Sequence, residues 1–217
     1  MAVLRNGHHT YDPVWHVEAI MVVAIVLQLA LPDHFVFGVR WLIPALEVLL
    51  VLLLAATTPR QKVFRSLKRR INVVLLVAVT GVGNLYALGR VANDLLQQGR
   101  IDDGRALILT AINIYLTNII IFALLYWEMD AGGPGHRRAA DDTERDFLFP
   151  QSQVAALRSW HPTFIDYLYV SSTNATAFSP TDTMPLSRRT KMLMLLQSIV
   201  SLVAIALVAA RAVNILN

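Results

Sequence analysis

The stretch that decides the fold runs from Lys191 to Asn214, KMLMLLQSIVSLVAIALVAARAVN, in which no charged residue occurs between Met192 and Ala210. A helix crossing the hydrocarbon core needs about 20 predominantly apolar residues, and this run supplies them. Four further segments, about 14–31, 40–57, 72–90 and 106–127, have the same character, so the sequence predicts five spanning helices in an all-α, polytopic membrane protein. Composition agrees. Of the 217 residues, 55% are hydrophobic and 16% charged, against roughly 45–50% and 25% in a soluble domain. The first apolar run ends Gln28-Leu29-Ala30-Leu31-Pro32 without a small-x-small cleavage site and is expected to stay as an uncleaved span.

The chain has no cysteine, which excludes disulfides, thiolate metal sites and thiol nucleophiles. Its net charge of +4 comes from basic residues beside apolar spans, so membrane topology explains it better than nucleic acid does. No paired aspartates, serine nucleophile elbow, HExxH or phosphate loop is present, and enzymatic activity and cofactors are not expected. His8, His9, His34, His136 and His161 lack metal-ligand spacing, so no metal site is expected.

Between Trp127 and the last helix lie about 60 residues that open with Ala131-Gly132-Gly133-Pro134-Gly135 and the charged stretch 136–146, expected to be solvated and mobile. Phe147-Leu148-Phe149-Pro150 and Trp160-His161-Pro162 read as interfacial aromatic anchors or as loop packing. Thr163 to Val170 is helix-compatible, but Ser171-Ser172-Thr173-Asn174-Ala175-Thr176 is too polar to face lipid, and Pro180 and Pro185 come after it. This pattern predicts a helix that enters the membrane part-way and returns, which is tolerated where it lines protein or a cavity.

The stretch from Phe164 to Asn214 resembles the pore module of potassium-type channels. The resemblance divides the chain into a three-helix region, 1–105, and a pore-like module, 106–217, with outer helix 106–127, polar linker 128–160, re-entrant hairpin 161–185 and inner helix 191–214. Laid on that pattern, Asp166 to Ser171 fall on the pore helix and Ala177-Phe178-Ser179-Pro180-Thr181-Asp182 on the filter, with Pro185 and Arg188 before the inner helix. Ser179 and Thr181 stand where the filter has glycines, and Pro180 restricts the backbone further, so a potassium-selective carbonyl cage is not expected. The resemblance implies instead a constriction lined by Thr173, Asn174, Thr176, Ala177, Phe178, Ser179, Pro180 and Thr181, with Asp182 at its mouth and weak selectivity for monovalent cations. Symmetric partners would be required, a homotetramer first. The whole chain, with Leu125-Tyr126-Trp127 before a Gly-rich loop, Asp146-Phe147 and the Thr-rich hairpin, is also similar to uncharacterised bacterial inner-membrane proteins of a domain-of-unknown-function family.

Gln197, Ser201, Ala204, Val208 and Arg211 recur at helical spacing, and on an inner helix the first four would line the pore. Glu47 is an acid within an apolar span, where such a group faces a cavity or partner, or is held neutral in the bundle; a proton-coupled transporter using it, or a non-conducting assembly protein, is the alternative to a channel. Asn84, Asn113, Thr117 and Asn118 read as packing groups between helices.

Lysine and arginine counts place the N-terminus in the cytoplasm and the C-terminus outside, which opens the hairpin to the cytoplasm as in glutamate-receptor channels. Single cysteines test this in a cysteine-free chain. Ser66→Cys and Ala140→Cys should react with an impermeant maleimide from the cytoplasmic side and Gln98→Cys from outside; labelling of 66 and 140 from opposite sides would reject the inverted hairpin.

Overall fold

The computed structural model describes residues 15–36, 38, 41–57, 67–96, 104–134, 137, 144–157, 160–177 and 182–216. Six α-helices make up most of them: α1 (Trp15–Leu29), α2 (Leu42–Thr57), α3 (Leu67–Leu96), α4 (Gly104–Met129), α5 (Phe164–Ala177) and α6 (Arg188–Leu216). Three contain stretches long and apolar enough to cross a membrane, Ile71–Leu95, Ala106–Gly132 and Arg188–Ala210. The other two expected spans are shorter: α1 has 15 residues and α2 has 16, below the length that crosses untilted.

α4 is the central helix. Within its most apolar window 72% of the residues are buried, against 28% in α6, and α1, α3, α5 and α6 all pack on it. α6 therefore divides its two faces sharply. Met194, Gln197, Val200, Ser201 and Ala204 turn inward, while Leu195, Ile199 and Leu202 are exposed, as suits a helix whose outer side meets lipid tails.

The connection after α4 is more ordered than its composition predicts. Ala131, Gly132 and Gly133 take φ of 51°, 75° and 99°, a left-handed run that reverses the chain. At Gly133 a Cβ would lie 3.1 Å from the Glu128 carbonyl oxygen, so the close approach also calls for glycine. Asp130 is 1% exposed and gathers distant parts of the chain around its carboxylate. It accepts backbone N–H bonds from Asp146 at 2.8 Å and Phe147 at 3.2 Å and a hydrogen bond from the Tyr167 hydroxyl. The Arg137 guanidinium lies 3.5 Å from the Asp130 carboxylate, stacks 4.7 Å from the Tyr167 ring centroid and donates to the Trp127 carbonyl. Within the stretch expected to be solvated and mobile, Arg137 is instead buried against the end of α4, because a buried carboxylate such as Asp130 has to be paired and hydrogen-bonded.

Asp130 in this way positions β1 (Phe147–Leu148), which pairs antiparallel with β2 (Met184–Pro185). Phe147 and Phe149 are buried against Tyr167, with ring centroids 5.9 and 5.4 Å away, so this segment packs as core rather than as an exposed anchor. α5 starts where Phe164 meets Trp127 edge-on at 6.0 Å, so its start and the returning β2 lie at the same end of α4.

Removing partners from this cluster should have unequal costs. Tyr167→Phe deletes one hydrogen bond and is expected to destabilise by about 1–2 kcal/mol. Asp130→Ala strands Arg137 in the interior and should cost about 3–5 kcal/mol. Thermal unfolding in detergent measures both, and equal costs would mean that the carboxylate does not organise the loop.

Candidate functional site: a polar layer between two apolar clusters

The buried apolar side chains fall into two clusters. One, at the Trp127 end, joins Val17, Met21, Leu76, Leu124, Trp127 and Tyr167 with their neighbours; the other joins Leu31, Phe35, Leu88, Val91, Leu107 and Ala204. Between them every helix contributes buried polar groups: Gln28 from α1, Glu47 from α2, Thr80 and Asn84 from α3, Asn113, Thr117 and Asn118 from α4, Ser171 and Asn174 from α5, and Gln197 and Ser201 from α6. Gln197 lies about 13 Å along α6 from its first residue, near the middle of a hydrocarbon core of about 30 Å.

On the α4–α5–α6 side the layer is saturated with hydrogen bonds. Gln197, 0% exposed, donates to the Ser171 carbonyl at 2.9 Å and its hydroxyl oxygen at 2.7 Å, and accepts from the Tyr126 hydroxyl at 2.6 Å and the Asn174 amide at 2.8 Å. Asn174 donates also to the Met194 carbonyl at 3.0 Å, Ser171 to Ile119 at 2.7 Å, and Asn118 to Ser201 at 2.9 Å. On the other side Asn84 donates to the Ile114 carbonyl at 3.1 Å and Asn113 to the Leu27 carbonyl. These amides bind backbone carbonyls of neighbouring helices, the kind of interhelical bond that holds helices together where no water is available.

Glu47 differs. It is 0% exposed, and among the described residues neither of its carboxyl oxygens has a hydrogen-bond partner. Its polar neighbour is Thr80 of α3, whose hydroxyl already donates to the Leu76 carbonyl at 2.9 Å. One turn away, Gln28 and Ile43 meet over Gly83, where a Cβ would stand 3.1 Å from the Ile43 side chain and 3.5 Å from the Gln28 amide. The absence of a side chain at 83 is what lets Gln28 of α1 and Ile43 of α2 close on α3 there.

The residues expected to form a pore are placed otherwise. Gln197, Ser201 and Ala204 are each 0% exposed within the bundle, whereas a pore on a symmetry axis needs its lining open on the protomer surface; Val208 is half-buried. Asn174 is committed to Gln197 and Met194. The Thr173 and Thr176 hydroxyls bond back to carbonyls of their own helix, at 3.0 Å to Tyr169 and 2.9 Å to Ser172, the ordinary way a hydroxyl is satisfied inside a helix. Ala177 ends α5 and is exposed, as is Asp182; Phe178, Ser179, Pro180 and Thr181 lie outside the described residues.

Sequence reasoning missed Gln28 and Thr80 as members of the layer, and Asp130 and Arg137 as a buried pair. It also missed a cluster at the opposite end, where His34 Nε2 lies 2.8 Å from the Asp94 carboxylate and the Arg90 guanidinium lies 3.0 Å from Nε2 and 3.2 Å from Nδ1. A signal was available for part of the layer: polar residues interrupt the apolar runs of α2, α3, α4 and α6 at Glu47, Asn84, Asn113, Thr117, Asn118, Gln197 and Ser201.

Comparison of the chain with known proteins finds no match to a family model, to a characterised protein or to a solved structure. The site therefore rests on its own geometry, and the geometry makes unequal demands on two neighbours. Gln197→Leu leaves the Tyr126 hydroxyl and Ser171 without their partner and should cost about 2–4 kcal/mol. Thr117→Val loses one long bond of 3.4 Å to Asn113 and should cost less than about 1 kcal/mol. Unfolding of the two variants in detergent checks the ranking.

Proposed function

We propose that this protein is a proton-coupled membrane transport protein in which Glu47 binds the transported or coupling proton. The observation that carries the reading is the fully buried Glu47 carboxyl with no hydrogen-bond partner among the described residues, in a layer whose amides are satisfied. In this reading the proton is held while the helices are packed, because an ionised carboxylate there would be desolvated and uncompensated. Releasing the proton requires the helices around it to move or water to enter. The apolar clusters on either side of the layer would then act as the two barriers, one opening while the other stays packed, with the site near the midplane as in alternating-access carriers.

A channel reading has one observation in its favour. α5 leaves from the Trp127 end of α4 and β2 returns to that end, the path of a re-entrant hairpin between an outer and an inner helix. Such a channel would be a homo-oligomer, a tetramer first, passing inorganic ions with little selectivity and Asp182 at its mouth. The inward-facing Gln197, Ser201 and Ala204 weigh against it. In either reading the chain sits in a bacterial inner membrane with its N-terminus in the cytoplasm, five membrane-inserted helices besides α5, and the lipid bilayer as its surroundings.

A hydrophobic carbodiimide separates the readings, since it couples to protonated carboxyl groups in apolar surroundings. Glu47 should be modified in liposomes, with modification falling as pH rises, and the modified protein should lose proton flux measured with an internal pH dye. Glu47→Gln should keep the fold and carry no proton flux above protein-free liposomes. Unchanged flux in that variant would assign Glu47 to packing, and ion currents that persist in it would favour the channel.

A further inference from the structure

The first turn of α6 carries Arg188, Arg189 and Lys191, all exposed and with no acid among them. Below them a groove of about 460 Å³ runs along α6, lined by Lys191, Leu195, Ser198 and Leu202 with Asn174 and Pro185 on the opposite wall. Its lining is almost wholly apolar beyond Lys191. The spacing of 188, 191, 195, 198 and 202 keeps one face of the helix, so Arg188 and Lys191 stand over the groove's end. From Lys191 to Leu202 the helix rises about 16 Å, close to the half-thickness of about 15 Å that one leaflet contributes to the hydrocarbon core.

We propose that this groove is a binding site for an anionic phospholipid, with one acyl chain lying against Leu195, Ser198 and Leu202 and the phosphate resting on Arg188 and Lys191. Charge selects the occupant. A second copy of the chain in the same membrane orientation would bring its own Arg188, Arg189 and Lys191 to the same depth, and the two basic turns would repel. A zwitterionic lipid adds a cationic headgroup to a mouth that already carries three basic side chains against the exposed Asp182. A lipid with net negative charge satisfies both halves of the groove, and the α6 N-terminus adds its partial positive charge. Ser198 makes the wall shallow at mid-groove, where a chain can lie close to the backbone.

The test uses the full chain in nonionic detergent, titrated with a tail-labelled fluorescent phosphatidylglycerol and with the phosphatidylcholine of the same tails. Phosphatidylglycerol should bind the wild type more tightly. The double variant Arg188→Gln/Lys191→Gln, at exposed positions, should weaken phosphatidylglycerol by about twenty-five-fold, about fivefold for each basic residue, and leave phosphatidylcholine unchanged. Ser198→Trp should weaken both by filling the groove, and Leu202→Trp, at an exposed position, repeats that test without burdening the fold. Equal affinity for the two lipids, an unaltered preference in the double variant, or displacement by inorganic phosphate alone overturns the proposal. So does a lipid-free dimer captured by crosslinking Ser198→Cys, which would assign the groove to a second copy.

Discussion

A polar group in hydrocarbon without a partner costs several kcal/mol, and each of the six helices brings at least one to the middle of this protein. The arrangement of the bundle results from that constraint. Gln197 has two acceptor and two donor positions, and all four are used on α4 and α5, by Tyr126, Asn174 and Ser171. Because those partners come from two other helices, the depth of α5 beside α6 is fixed by the amide as much as by apolar packing. Shifting α5 along α6 by one residue moves its groups about 1.5 Å, enough to lengthen bonds of 2.7–2.9 Å beyond useful range.

The same constraint acts at the Trp127 end with charges instead of amides. Asp130 and Arg137 are both nearly inaccessible, at 1% and 5%, and each finds further partners beyond the other. Asp130 orders β1 through two backbone N–H groups, and β1 in turn receives β2, so a single carboxylate just past α4 determines where the chain lies before it enters α6. The left-handed run at 131–133 makes this possible, since it turns the loop back over Glu128 instead of letting it leave the helix axis. Aromatic rings then fill the remaining space, with Phe147, Phe149, Trp127 and Tyr167 in one cluster.

Much of the helical framework was legible because apolar runs in a chain of this composition have few other uses. α3, α4 and α6 lie on the expected segments 72–90, 106–127 and 191–214, and α5 lies on the stretch expected to form a short helix. The orientation of α6 was not legible. Its polar stripe of Gln197 and Ser201 was expected to face a water-filled pore, and periodicity alone cannot distinguish that from a stripe facing amides on another helix, since both bury polar groups away from lipid. Asp130 and Arg137 escaped notice for a different reason: a charged, glycine-rich sequence reads as solvated, and only the fold shows that seven residues of chain bring the two charges together beneath Tyr167.

Glu47 and Gln197 are nearly isosteric, and both are inaccessible, yet they occupy opposite positions in this scheme. An amide always has protons to give and lone pairs to receive, so Gln197 can serve as a permanent junction and has no second state. A carboxyl group has two states, and here neither of its oxygens meets a hydrogen-bond partner among the described residues. Glu47 lies one turn along α2 from Ile43, which meets Gln28 of α1 over Gly83 of α3. Under the proposed transport reading the two conformations would have to differ in how they hold this group, because a proton can shift a conformational equilibrium only by binding the two conformations with different affinity.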